Sequence, residues 1–177
     1  MPSQAFPWRV PTSLCDIPEA GLRIELEADE PTCRAVAKAV GVNDIARLKA
    51  RFDLARRGRD GLHVAGTVSA LVGQLCVVSL EPIVNEVNEA IDLAFGHEAS
   101  IPTSARSLDI AVDAPDPPEP LINGLVDLGA IATEFLILGI DPYPRKPDAA
   151  FGAPPDKESA GKAFAALAAL KRSRSTD

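Results

Sequence analysis

Aromatic residues are scarce in this chain: among 177 residues there are one Trp, one Tyr and six Phe. Proteins that hold single-stranded nucleic acid by stacking need several exposed rings, so base stacking is not indicated. Cysteine is equally sparse. Cys15, Cys33 and Cys76 are odd in number and widely separated, and no Cys-x-x-Cys pair occurs. That disfavours a disulfide scaffold, and it leaves a structural zinc site, which takes four Cys or His ligands, short of donors. Long apolar runs are missing. The longest, Phe135 to Ile140, is far below the roughly 20 residues that span a bilayer. The opening MPSQAFPWRV has no apolar core of the kind a secretory signal carries. Glycine-rich phosphate loops are absent too, since Gly66 and Gly73 stand singly. There is no internal repeat. These absences give the expectation of a cytoplasmic protein with reduced thiols, no membrane segment, no metal, no cofactor and no evident small-molecule substrate.

What is present is a chain long enough for one real core, 46% apolar, with a formal net charge of −7. An acidic chain is not drawn as a whole toward nucleic acid, so an RNA contact needs a local basic patch. Sixteen prolines are many, and they concentrate after residue 100.

Phe6, Trp8 and Val10 alternate as a short strand, with Pro7 suggesting an edge. Leu22, Ile24 and Leu26 alternate with Arg23 and Glu25 as a second strand. A helix follows over about 31–40: Asp29 or Glu30 caps it, Pro31 suits its first turn and Gly41 its stop. Cys33, Val36, Ala37 and Val40 form its buried stripe.

The next stretch alternates cleanly. Leu48, Ala50, Phe52 and Leu54 take one side of a strand, and Arg47, Lys49, Arg51 and Asp53 take the other. After the turn RRGRDG (56–61) a strand opens at Leu62 and is expected to run to about Val78. Val64, Val68, Ala70, Val72, Cys76 and Val78 share its core phase. Val87, Ile91, Leu93 and Phe95 mark a third long strand. Short links between three long strands make an antiparallel meander. Residues 97–124 read as a mobile acidic loop. Asp127 then caps a helix with Leu128, Ile131, Ala132, Phe135 and Leu136 on one face, stopped at Asp141-Pro142. Residues 145–177 read as a loosely attached tail that includes a short amphipathic helix, Ala163 to Leu170.

The order QLCVVSLEPI, EAIDLAF, an acidic gap, VDLGAIATEFLILGIDPYPRKP and FAALAALKR, after the opening FPWRVPTSLCDIPEAGLRIELEAD, resembles the YceD family, the large ribosomal RNA subunit accumulation proteins. The resemblance runs from about Phe6 to Arg172. It implies one YceD-like domain over 1–177 and a role in accumulation of large-subunit ribosomal RNA, with no established catalysis. Many relatives carry Cys-x-x-Cys at Cys76 and further cysteines after the second helix, a set able to bind zinc. Here Ser79 fills the second slot and Asp141 to Asp148 contains no cysteine.

The fold class expected is α+β: a bent antiparallel sheet or partial barrel covered by a few helices. Cys76 reads as a core residue at the end of a strand. Cys33 reads likewise, and His63 and His97 as solvated or loop positions. The acidic residues Glu81, Glu86, Glu89 and Asp92 match no metal-loop spacing. The informative stretch is basic. Arg47, Lys49, Arg51, Arg56, Arg57 and Arg59 stand against one acid, Asp53, within thirteen positions. Such a face suits RNA phosphates; its bland alternative is a solvated strand face whose charges discourage aggregation. Candidate protein contacts are Asp109, Asp113, Asp116 and Glu119 in the acidic loop, facing a basic ribosomal protein, and Phe164, Leu167 and Leu170 on the last helix. The expected function is non-enzymatic support of ribosomal RNA accumulation or ribosome assembly, through pre-ribosomal RNA, a large-subunit ribosomal protein, or both. The alternative is a protein-binding adaptor without RNA contact.

Overall fold

The computed structural model describes residues 6–96 and 118–151. In chain order the elements are β1 (Pro11–Ser13), a 3-10 turn (Leu14–Asp16), β2 (Leu22–Glu27), α1 (Glu30–Val40), β3 (Asp44–Arg57), β4 (Gly61–Leu75), β5 (Pro82–Gly96), β6 (Glu119–Pro120), β7 (Leu125–Asp127) and α2 (Leu128–Gly139). Five strands form one sheet in the order β2-β3-β4-β5-β6, and β1 pairs with β7 apart from it. All pairs are antiparallel except β5 with β6. The protein is therefore α+β with an open sheet. The meander was legible in the alternation, and the sheet is not closed into a barrel: β2 and β6 stand at opposite edges without joining.

Period-2 alternation decides which face is buried. Leu48, Ala50, Phe52 and Leu54 of β3 lie beside Val64, Val68, Ala70 and Val72 of β4 and Val87 and Ile91 of β5. Burying each of the larger of these stabilises the fold by roughly 1.5–3 kcal/mol relative to exposure. The ladder admits Gly66 opposite Phe52 because a side chain there would strike the carbonyl of Arg51.

Two helices cover that face. The Asp29 carboxylate accepts the Thr32 N–H at 2.9 Å and starts α1, and Gly41, at φ +79°, ends it. Its stripe of Cys33, Val36 and Ala37 packs on β3. Burial pushes the Cys33 thiol up. The second helix, α2, packs on β5 and β4. Its cap, Asp127, accepts the N–H groups of Ala130 at 3.2 Å and Val10 at 2.8 Å and pairs with Arg9 at 3.0 Å. One carboxylate thus ties the N-terminal segment to the helix. Gly129 lets the two approach, because a Cβ there would lie 2.7 Å from the Trp8 carbonyl oxygen. Buried Thr133 returns its hydroxyl to the Gly129 carbonyl at 2.8 Å, so no polar atom is stranded.

Three boundaries differ from the sequence expectation. Pairing at the N-terminus begins at Pro11 and not at Phe6, because Trp8 is spent on the α2 contact. The strand β4 stops at Leu75, three residues short of Val78, where a turn begins. The strand β5 starts earlier than Val87, at Pro82, since Ile83, Val84 and Asn85 continue the ladder to Gln74, Gly73 and Val72. Among the described residues no helix is long and apolar enough to cross a membrane.

Candidate functional site

The β3–β4 hairpin carries all six basic candidates, and the structure divides them. Lys49 and Arg51 point from the open face of the sheet. Register sets Glu27 opposite Lys49 and Glu25 opposite Arg51. Both pairs close as ion pairs, at 3.0 and 2.9 Å. Asp53, in turn, takes Arg23 at 2.6 Å, which raises the Arg23 guanidinium through that hydrogen bond. The centre of the face is therefore a checkerboard of paired charges, not a free cationic stripe. Counting charges along one strand misses this. The signal was present, because β2 reads Leu-Arg-Ile-Glu-Leu-Glu and its polar phase must face some neighbour.

Arg47 stands beside a register shift between Ile45 and Arg47, exposed opposite Leu71. The other three crowd the hairpin tip. Arg57 lines a hollow of about 410 Å³ with Asp60, Leu62 and Phe95. Arg56 falls on the opposite face of the strand. With Arg59 it lines a groove of about 500 Å³ that also includes Leu14, Cys15, Leu121 and Asn123. Its guanidinium donates to the Arg59 backbone carbonyl at 3.4 Å, which ties the Arg56 side chain to the turn. Among the described residues none of Arg47, Arg56, Arg57 or Arg59 has a carboxylate within ion-pair distance.

The other end of the hairpin holds Cys76. The thiol is buried, as its phase suggested, but it is not part of the core cluster. It opens a turn whose Leu80 N–H donates to the Cys76 carbonyl at 2.9 Å. Its Sγ accepts the backbone N–H of Ser79 and of Lys146, each at 3.4 Å. These donors, that of Lys146 foremost, hold the thiol down at about 6. Cys76 is thus buried as expected, but outside the main cluster and beside two backbone donors. Ser79 bonds Glu81 at 3.3 Å, and Lys146 pairs with Glu81 at 2.7 Å. That hydrogen bond lowers the Glu81 carboxyl and raises the Lys146 ammonium. Nearby, Gln74 donates to the Asp141 carbonyl at 2.9 Å and accepts from Asn85 at 2.8 Å. The segment after α2 is docked here by hydrogen bonds. One thiolate, one serine and one paired glutamate do not make a four-ligand metal set.

His63 is not simply solvated: its Nε2 lies 2.6 Å from the Asp92 carboxylate across the β4–β5 ladder. Among the described residues no group of three or more His, Cys, Asp or Glu side chains is arranged to hold a metal ion. Glu119 sits exposed in β6. It stands close enough to Glu134 that its charge adds to burial, the larger cause, in raising the Glu134 carboxyl. His97, Asp109, Asp113, Asp116, Phe164, Leu167 and Leu170 lie outside the described residues.

Comparison with protein-family models, with curated proteins and with solved structures found no match for this chain.

Proposed function

We propose that the protein is a non-enzymatic cytoplasmic factor that supports large-subunit ribosomal RNA accumulation or ribosome assembly by binding pre-ribosomal RNA, a ribosomal protein, or both. The ordered motifs that resemble the YceD family point to the process. The observation that carries the physical part is the β3–β4 hairpin tip. Arg56 and Arg57 end the long strand β3 and Arg59 stands in the turn to β4, without carboxylate partners among the described residues. Guanidinium groups so placed suit phosphate oxygens, which they meet with two parallel hydrogen bonds. A contact of this kind reads the backbone and not the sequence, in keeping with the scarcity of aromatics. With a net charge of −7, any such contact needs a local basic patch such as the tip.

Crosslinking in cells followed by sequencing of the RNA recovered with the protein tests this. Enrichment of large-subunit precursor RNA, lost when Arg56, Arg57 and Arg59 are replaced by Glu, is the expected result. Recovery of no ribosomal RNA above background removes the RNA reading. The runner-up, a protein-binding adaptor without RNA contact, is favoured by a separate observation: Glu86 and Glu89 on β5 have no ion-pair partner among the described residues.

A further inference from the structure

The sheet has two unlike edges. At one, β2 is six residues long, and its carboxylates Glu25 and Glu27 are ion-paired. At the other, β5 runs fifteen residues, but β6 covers only Phe95 and Gly96. From Pro82 to Ala94 no strand among the described residues pairs with the outer edge of β5. That leaves about 40 Å of extended backbone with alternate N–H and C=O groups directed outward. Edges this long are usually shortened, bulged, covered, or guarded by lysine. Among the described residues no further strand, bulge or lysine guards it along Pro82–Ala94, apart from Pro82 at its start.

The charge on this side is of one sign. Across β5, β6 and α2 there is no Lys or Arg, while Glu86, Glu89, Asp92, Glu119 and Glu134 all belong to these elements. Asp92 alone has a basic neighbour, His63. Glu86, Glu89, Glu119 and Glu134 have no ion-pair partner among the described residues. On the β2–β3 side, by contrast, three carboxylates each have a cation. Uncompensated acid along an open strand repels a second copy of the same strand, because pairing would bring glutamates together. It equally disfavours the chain's own 97–117, which holds Glu98, Asp109, Asp113 and Asp116 against Arg106. It attracts a segment of opposite sign.

We infer that the outer edge of β5 takes a basic, extended segment of another protein as an added strand. Main-chain hydrogen bonds to β5 supply affinity, and Lys or Arg side chains of the segment meet exposed Glu86 on the open face and half-buried Glu89, beside Gly139 of α2, on the other. Exposed Val84, near the Pro82 end, offers an apolar contact to one residue of the guest. This surface is separate from the hairpin tip and stands whether or not the tip binds RNA.

Amide hydrogen exchange on the full chain, with and without a synthetic decapeptide of alternating Lys and Val, tests it. A control peptide has the same sequence with every second amide N-methylated, so it keeps the charge but cannot pair. The expected result is new protection of alternate β5 amides with the first peptide only. Affinity should fall about tenfold in a Glu86→Lys, Glu89→Lys variant that keeps the wild-type melting temperature. Equal binding of both peptides, or no binding, overturns the inference. So does protection of the same amides in the free chain that disappears on deleting 160–177, or that persists after it, since either means the edge is already filled from within. If the variant fails to fold, the N-methylated control still decides.

Discussion

The Sγ of Cys76 accepts the backbone N–H of Lys146 at 3.4 Å, so one thiol joins the end of β4 to a segment seventy positions further along the chain. The contact is polar, and it favours the thiolate. The folded thiol titrates at about 6, against 9.0 for an ordinary cysteine. An acid whose folded value is depressed contributes stability above its unfolded value and loses it as pH falls through the folded one. A Cys76→Ala variant should therefore lose most stability, relative to wild type, at alkaline pH, and the gap should close as pH drops below about 6. Paired thermal melts across that range check the sign. Being buried, Cys76 should also react with alkylating agents more slowly than exposed Cys15.

Gly129 and the Trp8 carbonyl meet where α2 crosses the N-terminal segment. Replacing Gly129 with Ala adds a methyl 2.7 Å from a backbone oxygen that cannot rotate away. Helix propensity alone would favour Ala by about 1 kcal/mol. Overpacking costs about 1–3 kcal/mol, so a net loss and a lower melting temperature are expected. A change in Trp8 fluorescence should accompany the loss, because its segment is what must shift.

Leu80 adopts φ +58° while its side chain is largely exposed. A left-handed backbone costs an ordinary residue about 1–2 kcal/mol, and Asn tolerates it better. The exposed side chain contributes little packing in return. Leu80→Asn should raise stability by several tenths to about 1 kcal/mol, read from denaturant melts. A loss would mean that the leucine packs on something in solution.

The ion pairs of Lys49 and Arg51 with Glu27 and Glu25 are solvent-exposed, so each is worth about 0.2–1 kcal/mol. Replacing Glu25 and Glu27 with Gln should cost little stability and leave two cations free. RNA affinity should then rise and its salt dependence steepen, measured by filter binding. The paired centre of the face would thereby be shown to be silenced by its neighbours.

Much of this was legible in the sequence, and the failures share a cause. The α1 boundaries, the α2 cap at Asp127 and the three-strand meander follow from local periodicity and capping, which the chain states residue by residue. The neutralisation of Lys49 and Arg51 depends on which strand lies alongside β3, and the surroundings of Cys76 depend on where Lys146 returns. Neither is local. The Trp8–Gly129 contact is likewise long-range, and it explains why an alternating Phe6-Trp8-Val10 pattern makes no strand before Pro11.

The most direct measurement is the salt dependence of binding to large-subunit ribosomal RNA fragments, for wild type and for an Arg56→Glu, Arg57→Glu, Arg59→Glu variant. The changes at exposed Arg57 and Arg59 should alter stability by no more than about 0.5 kcal/mol each, and a melt of the variant checks the half-buried Arg56. If the hairpin tip meets phosphates, log affinity falls with log salt for wild type, and the slope flattens by about 2–3 in the variant, close to 0.7–0.9 per lost contact. Identical affinity and slope in the two proteins would contradict the account.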